Sequence, residues 1–199
     1  GIAPVHTMTN ECYEGSISHY EEIGWMNKAA LGLSIGGYYS YNQNRIIWFD
    51  RESLLDTMMR LVEQQPYLVS FNGVSFDFAL MRAIIRQEHG GNKLGEERTE
   101  ALSDEDKAMQ GLCDRFKALA VSSYDLLKII WEVDPTSKRK KGVNQLETLC
   151  IDNGIIAQGK THHGRSIPKL WQDGMLADVI NHCALDIMMT KGLFGKVIA

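Results

Sequence analysis

From residue 30 onward the chain alternates short apolar runs of β type with longer stretches of helical period, and this alternation restricts its fold more than any other feature. Ala30 to Tyr41 (A-L-G-L-S-I-G-G-Y-Y-S-Y) and Arg45 to Phe49 (R-I-I-W-F) are β-type runs around the turn-like Asn42-Gln43-Asn44. Asp50 or Ser53 then caps a helix running to about Gln64. Its Leu54, Leu55, Met58, Met59 and Val62 share a face, and Pro66 stops it. A short apolar strand, Tyr67 to Phe71, leads into an amphipathic helix from Phe76 to His89. Residues 90 to 107 are a polar insertion, followed by a short helix and then by Ala118 to Ser123 as a further strand. Helices are expected over about 124–132, 143–153 and 173–194. This order predicts an α/β layer architecture with a mixed sheet. Residues 1 to 28 are polar and give no clear element.

The 199 residues suit a single domain with one substantial core. A net charge of −4 argues against adhesion of the whole surface to a polyanion, although it suits a protein that is acidic where it holds cations. No apolar run approaches the length of a bilayer span, so no membrane segment is expected. Cys12, Cys113, Cys150 and Cys183 are scattered without a C-x-x-C pair, which favours reduced core thiols in an intracellular setting. Gly1 stands where Met would be, so the chain is expected to be processed or cut from something longer.

Two places carry chemistry. In Asn72-Gly73-Val74-Ser75-Phe76-Asp77 an apolar strand ends, the chain turns at glycine, and an acid opens the next helix. That puts Asp77 at the carboxyl end of a strand, where open α/β sheets build their sites. A helix-capping Asp is the bland reading, and for this residue alone the better one. In Asn181-His182-Cys183-Ala184-Leu185-Asp186, His182 and Asp186 are four residues apart on one helical face, with Asp178 a turn earlier. A carboxylate that holds an ion beside a group that takes a proton is what metal-assisted hydrolysis requires. Alone, such a pair is more often a plain surface ion pair.

Taken in order, F-N-G-V-S-F-D (71–77), Tyr124-Asp125-Leu126-Leu127, G-V-N-Q-L-E-T-L (142–149), Gly159-Lys160, Ile167-Pro168, Leu170-Trp171, Gly174 and H-C-A-L-D-I-M-M-T (182–190) form a series. The series resembles the DEDD 3′–5′ exonucleases of the ribonuclease H-like superfamily, closest to the exonuclease domains related to those of family B DNA polymerases. It spans roughly residues 29 to 195. Asp186, Cys183 and Thr190 fit the Y-C-x-x-D pattern of the DEDDy subgroup, with His182 in the tyrosine position. The resemblance implies a ribonuclease H-like fold: a mixed five-stranded sheet, its second strand antiparallel, with helices on both faces. It further implies hydrolysis at nucleic-acid 3′ ends by two Mg²⁺ or Mn²⁺ ions bound to Asp77, Asp186 and Glu14, with His182 as the base. A larger polymerase, helicase or other assembly is an expected setting.

The family's first motif, D-x-E, is where the chain departs from the pattern. The corresponding stretch reads N-E-C-Y-E-G (10–15), which keeps a glutamate at Glu14 or Glu11 and puts Cys12 or Thr9 at the aspartate position. Neither a thiol nor a hydroxyl replaces a hard carboxylate for Mg²⁺. Two such ions ~4 Å apart repel and need several anionic ligands. The expected activity is therefore weakened, reduced to one ion and Mn²⁺-favouring, or absent. The alternative is an inactive relative that binds nucleic acid or a protein partner.

For strand binding the candidates are Asn72, Lys160 and the basic run Lys138, Arg139, Lys140 and Lys141 within Pro135 to Gly142. A solvated basic loop is the simpler reading of that run. Asp125 is expected as a helix cap, and Trp171 as packing between the terminal helices. His162-His163 with Arg165 are expected to be a surface loop, since adjacent histidines cannot point the same way in an extended loop.

Overall fold

The computed structural model of the protein describes residues 28–89, 103–139, 142 and 144–198. The chain gathers into two compact units and crosses between them several times.

The described part of the first unit is helical. A short helix α1 (Lys28–Leu31) ends at Gly32, whose φ of 68° breaks the run. Two strands, β1 (Gly36–Ser40) and β2 (Arg45–Phe49), follow in sequence, and all but Phe49 belong to the second unit. Helix α2 (Leu54–Gln64) then returns to the first unit. Its start is organised by Asp50, whose Oδ1 accepts the Ser53 amide at 3.0 Å and the Ser53 hydroxyl at 2.6 Å. Its end is Gln65 in the left-handed conformation, one residue before Pro66. Of the expected apolar face, Leu54, Met58 and Val62 are buried, with Leu61, whereas Met59 is half exposed.

A very short strand, β3 (Val69–Ser70), precedes α3 (Asp77–His89), and α4 (Asp104–Val121) comes next. Helix α4 starts from a capping box in which Ser103 and Asp106 satisfy each other's amides. It buries Leu112, Cys113, Phe116, Leu119 and Ala120 against α2 and α3. That i, i+1, i+4, i+7, i+8 spacing is helical, so the stretch expected as a strand at 118–123 is the end of a long helix instead. The apolar tetrad Ala118 to Val121 had suggested a strand because a short apolar run carries no period of its own. Met81, Ile84 and Ile85 of α3 complete this core, and Phe78 meets Phe116 edge-on at 5.9 Å.

The second unit holds the sheets. β1 and β2 pair across the turn 41–44, a connection short enough only for antiparallel partners. β3 pairs in parallel with β4 (Tyr124–Asp125), Val69 opposite Tyr124 and Ser70 opposite Asp125. There follow α5 (Leu126–Val133), a 3₁₀ turn (Pro135–Arg139), α6 (Leu146–Asp152), a second 3₁₀ turn (Gly164–Ser166), α7 (Ile167–Gln172) and the long α8 (Leu176–Ile198). The α/β character and the antiparallel hairpin are as expected. The described residues form four strands in two separate pairs and do not show the expected five-stranded sheet. Among the described residues, the N-terminal run shortens to five residues after Gly32 ends α1, the run at 67–71 yields two strand residues, and the run at 118–123 yields none, β4 lying just beyond it at Tyr124–Asp125.

Helix α8 organises this unit, packing on β1, β3, α6 and α7. Leu126, Cys150, Met189 and Leu193 are buried together, with Val69, Phe71, Leu146, Leu149, Ile155, Ile156 and Phe194 around them. Gly192 lets Ile155 approach: a Cβ there would stand 2.6 Å from Ile155 Cγ2. Trp171 is half-buried on α7, and α7 packs against α8. Cys113 and Cys150 are buried thiols, in keeping with the reduced core reading. No helix of the described residues is long and apolar enough to cross a membrane.

Candidate active site

On α8 the residues Asp186, Met189 and Leu193 lie at i, i+3 and i+7, and so on one face. Met189 and Leu193 are buried, so this face enters the core and Asp186 sits where it emerges. His182 is one turn earlier. Its Nε2 is 3.2 Å from Asp186 Oδ2, the contact that the i, i+4 spacing predicts. The imidazole is nearly buried, 11% exposed, while its Nδ1 is buried without a hydrogen-bond partner. Thr190 Oγ1 donates back to the Asp186 carbonyl at 2.8 Å, which fixes its own rotamer on the same turn.

The other carboxylate oxygen is occupied as well. Lys160 Nζ donates to Asp186 Oδ1 at 2.8 Å, and the lysine side chain is only 13% exposed. Its route there is set by α6. That helix ends in a turn where Gly154 takes φ 66°, and Ile155 and Ile156 dive into the core. The chain then returns so that the Lys160 amide donates to Glu147 Oε1 at 2.7 Å. A Cβ on Gly159 would run into that same oxygen, so the residue before Lys160 has to be glycine for Glu147 to reach. The L-E-T-L and Gly-Lys motifs, thirteen residues apart from Glu147 to Lys160, thus meet in one hydrogen bond.

Burial alone would raise the Asp186 carboxyl, but the His182 hydrogen bond and the bond and charge of Lys160 outweigh it, leaving Asp186 below its ordinary value. It is ionised at neutral pH. Cys150 lies near both: burial, then the Asp186 charge, push its thiol up to about 11 against the pull of Lys160. Its Sγ rests 3.5 Å from the Met189 carbonyl. The neighbouring Asp178, on the face expected, stands 3.6 Å from His162 Nε2, within ion-pair but not hydrogen-bond range.

The remaining candidates are placed as follows. Asp77 is exposed at the first position of α3, in the first unit, where the Phe78 amide donates to the Gly73 carbonyl at 2.9 Å. Lys28 lies with its Nζ 4.3 Å from the Phe76 ring centre; burial lowers its ammonium and the Asp77 charge raises it in part. Asn72 adopts the left-handed conformation, φ 65°, and its amide donates to Asp125 Oδ1 at 2.8 Å. Asp125 stands at the N-cap of α5 yet makes no side-chain cap there, contrary to expectation. Lys138 is exposed, 5.3 Å from the Trp131 ring centre, in a 3₁₀ turn anchored by buried Ser137 rather than in an open loop. Lys140, Lys141, Glu14, Glu11, Cys12 and Thr9 lie outside the described residues, as does the side chain of Arg139.

The described residues of this arrangement do not by themselves make a metal centre. Among the described residues no group of three or more His, Cys, Asp and Glu is gathered closely enough to hold an ion. The one carboxylate in the cluster has an ammonium on one oxygen and an imidazole on the other. The Lys160–Asp186 and Lys160–Glu147 contacts had no signal in spacing, because they join residues on separate elements. The only trace of them in the sequence is the glycine directly before Lys160.

No similar curated protein and no similar solved structure was found for the chain. A family model does match it, over residues 48–198, which takes in Asp77, Lys160, His182 and Asp186. The chain belongs to this family, described as predicted 3′–5′ exonucleases related to the exonuclease domain of PolB.

Proposed function

We propose that the protein trims nucleic acid from the 3′ end by hydrolysing phosphodiester bonds. The observation that carries this reading is the Asp186 carboxylate, ionised and aligned with His182 on α8 inside the span matched by the exonuclease family. In this reading Asp77, Asp186 and Glu14 are the carboxylates that serve Mg²⁺ or Mn²⁺. A divalent ion would supply Lewis acidity and an acidified water.

The chain's own groups define what else is possible. With Nε2–H directed at Asp186 Oδ2, the imidazole keeps Nδ1 as its basic nitrogen, and the carboxylate steadies the charge once a proton is taken. Nδ1 is buried, however, and Nε2 faces the carboxylate rather than water. His182 is thus held in a resting pairing, and taking a proton at Nδ1 calls for that buried nitrogen to be uncovered. Lys160, once released from Asp186, would carry a positive charge to the phosphate; this keeps it on the nucleic-acid side of the reading. Substrates are single-stranded 3′ ends, DNA or RNA.

The pairing of both Asp186 oxygens with cationic or imidazole groups of the protein itself favours a second reading, a member of the family that binds strands without cutting them. The test is incubation of the full chain with 3′-labelled single-stranded DNA and RNA, in Mg²⁺ and in Mn²⁺, beside Asp186→Ala. Metal-dependent trimming that the variant loses supports the exonuclease. Strand binding without trimming, unchanged in the variant, supports the binding module.

A further inference from the structure

We propose that Lys160 is the chain's own counter-cation for Asp186, so that a divalent ion reaches this carboxylate only by displacing the Lys160 ammonium. The inference rests on reading Asp186 as a metal-facing carboxylate, and it concerns how that carboxylate is kept when no ion is bound.

Lys160 is unlike a surface lysine that happens to touch an acid. Its side chain is 13% exposed, and its Nζ lies 2.8 Å from Asp186 Oδ1. Its backbone is pinned at the other end, since the Lys160 amide donates to Glu147 Oε1 at 2.7 Å and Gly159 leaves room for that carboxylate. The lysine is therefore delivered to Asp186 by a built support, and little side-chain entropy remains to be lost on pairing. On the opposite oxygen His182 stands at 3.2 Å. A carboxylate has about four lone-pair sites, so neither contact blocks an ion by shape alone. The obstacle is charge. A divalent ion on Oδ1 would sit within a few ångströms of the ammonium, in a half-buried place where water screens poorly. The two cations exclude each other, and the equilibrium between them sets the affinity for metal. Asp186 has lost none of its suitability as a hard oxygen donor; its counter-ion comes from the same chain.

The experiment is calorimetric titration of Mn²⁺ into the full chain, for the protein itself, K160Q, K160R and the double variant K160Q/D186N. K160Q is expected to bind Mn²⁺ at least about tenfold more tightly, equivalent to ~1.4 kcal/mol. K160R keeps the charge and should stay close to the original affinity, and the double variant should lose the gain. A K160Q affinity that is equal or weaker overturns the proposal, as does a gain that survives in the double variant, or no binding by any form. A second measurement needs no variant. The acetylation rate of Lys160, read by mass spectrometry, should rise when Mn²⁺ is added to the unaltered protein; an unchanged rate overturns the proposal even if K160Q fails to fold. The exonuclease reading fails separately. If K160Q gains Mn²⁺ affinity while no form trims a labelled strand, that reading falls and this one stands; trimming without any gain gives the reverse.

Discussion

Asp125 Oδ1 accepts the backbone amide of Asn72 at 2.8 Å, which ties the end of β3 to the end of β4 just beyond their last paired residues, Ser70 and Asp125. Asp125 is 4% exposed, so the bond is made out of water. Deleting a buried charged acceptor leaves its donor unsatisfied, at a cost of about 1–3 kcal/mol. Asp125→Ala is expected to lower the unfolding free energy by that much, seen as a lower urea midpoint, whereas Asp125→Asn, which can still accept, should lose less. Asn72 has a matching requirement. At φ 65° glycine fits freely and a β-branched residue does not, so Asn72→Gly should be tolerated and Asn72→Val should cost roughly 1–2 kcal/mol. Equal midpoints for the two Asn72 variants would contradict this account.

That bond also marks the limit of what could be read in the sequence. Asp125 was legible as the residue opening a helix, and it does open α5, but its partner lies 53 positions away and no local pattern points there. The same holds at the candidate site. The His182–Asp186 contact was legible because the helix itself imposes it at i, i+4. Lys160 was legible only as a basic residue after a glycine, because its position depends on how the segment after α6 folds back. Strands were misjudged for a different reason. Ala118 to Val121 is apolar without a period, and the Ser103–Asp106 capping box that commits the segment to a helix lies more than four turns upstream.

The support beneath Lys160 can be tested without any metal. In Gly159→Ala the new methyl group meets Glu147 Oε1, so the carboxylate must swing away and the Lys160 amide loses its acceptor. A steric shift combined with one lost charge-assisted bond is expected to cost about 1–3 kcal/mol. Glu147→Gln retains an acceptor oxygen and should be milder than Glu147→Ala. Denaturant unfolding of the three variants checks the order. A Gly159→Ala protein as stable as the original would mean that the Glu147 contact contributes nothing.

Cys150 should be chemically silent in the folded protein. Its thiol is pushed up to about 11, chiefly by burial and next by the Asp186 charge, so at pH 8 only on the order of one molecule in a thousand carries the thiolate. Iodoacetamide is therefore expected to leave Cys150 unmodified under native conditions and to alkylate it in urea, as peptide mass spectrometry would read out. Asp186→Asn removes the charge that, after burial, holds the thiol up, and Lys160→Gln removes the one that holds it down. The thiol should become somewhat more acidic in the first and less acidic in the second. Rapid native labelling of Cys150 would place it at the surface and contradict its burial.

Asp50, at the start of α2, is expected to contribute to the loss of stability in acid. The Ser53 hydroxyl bond is the main cause that holds the Asp50 carboxyl below its ordinary value; burial works against it, and backbone amides add to the lowering. The unfolded chain, with an ordinary carboxyl near ~3.9, therefore takes up the proton first as pH falls. The stability from Asp50 is fully present above that value and is lost progressively as pH drops through the lower value of the folded state. Asp50→Asn should flatten the fall in the urea midpoint between about pH 5 and pH 3 relative to the original protein. In Ser53→Ala the carboxyl loses its shortest partner, and its titration, followed by carboxyl NMR, should move upward. An Asp50 that titrates at the same pH with and without the Ser53 hydroxyl would remove this explanation of how the helix begins.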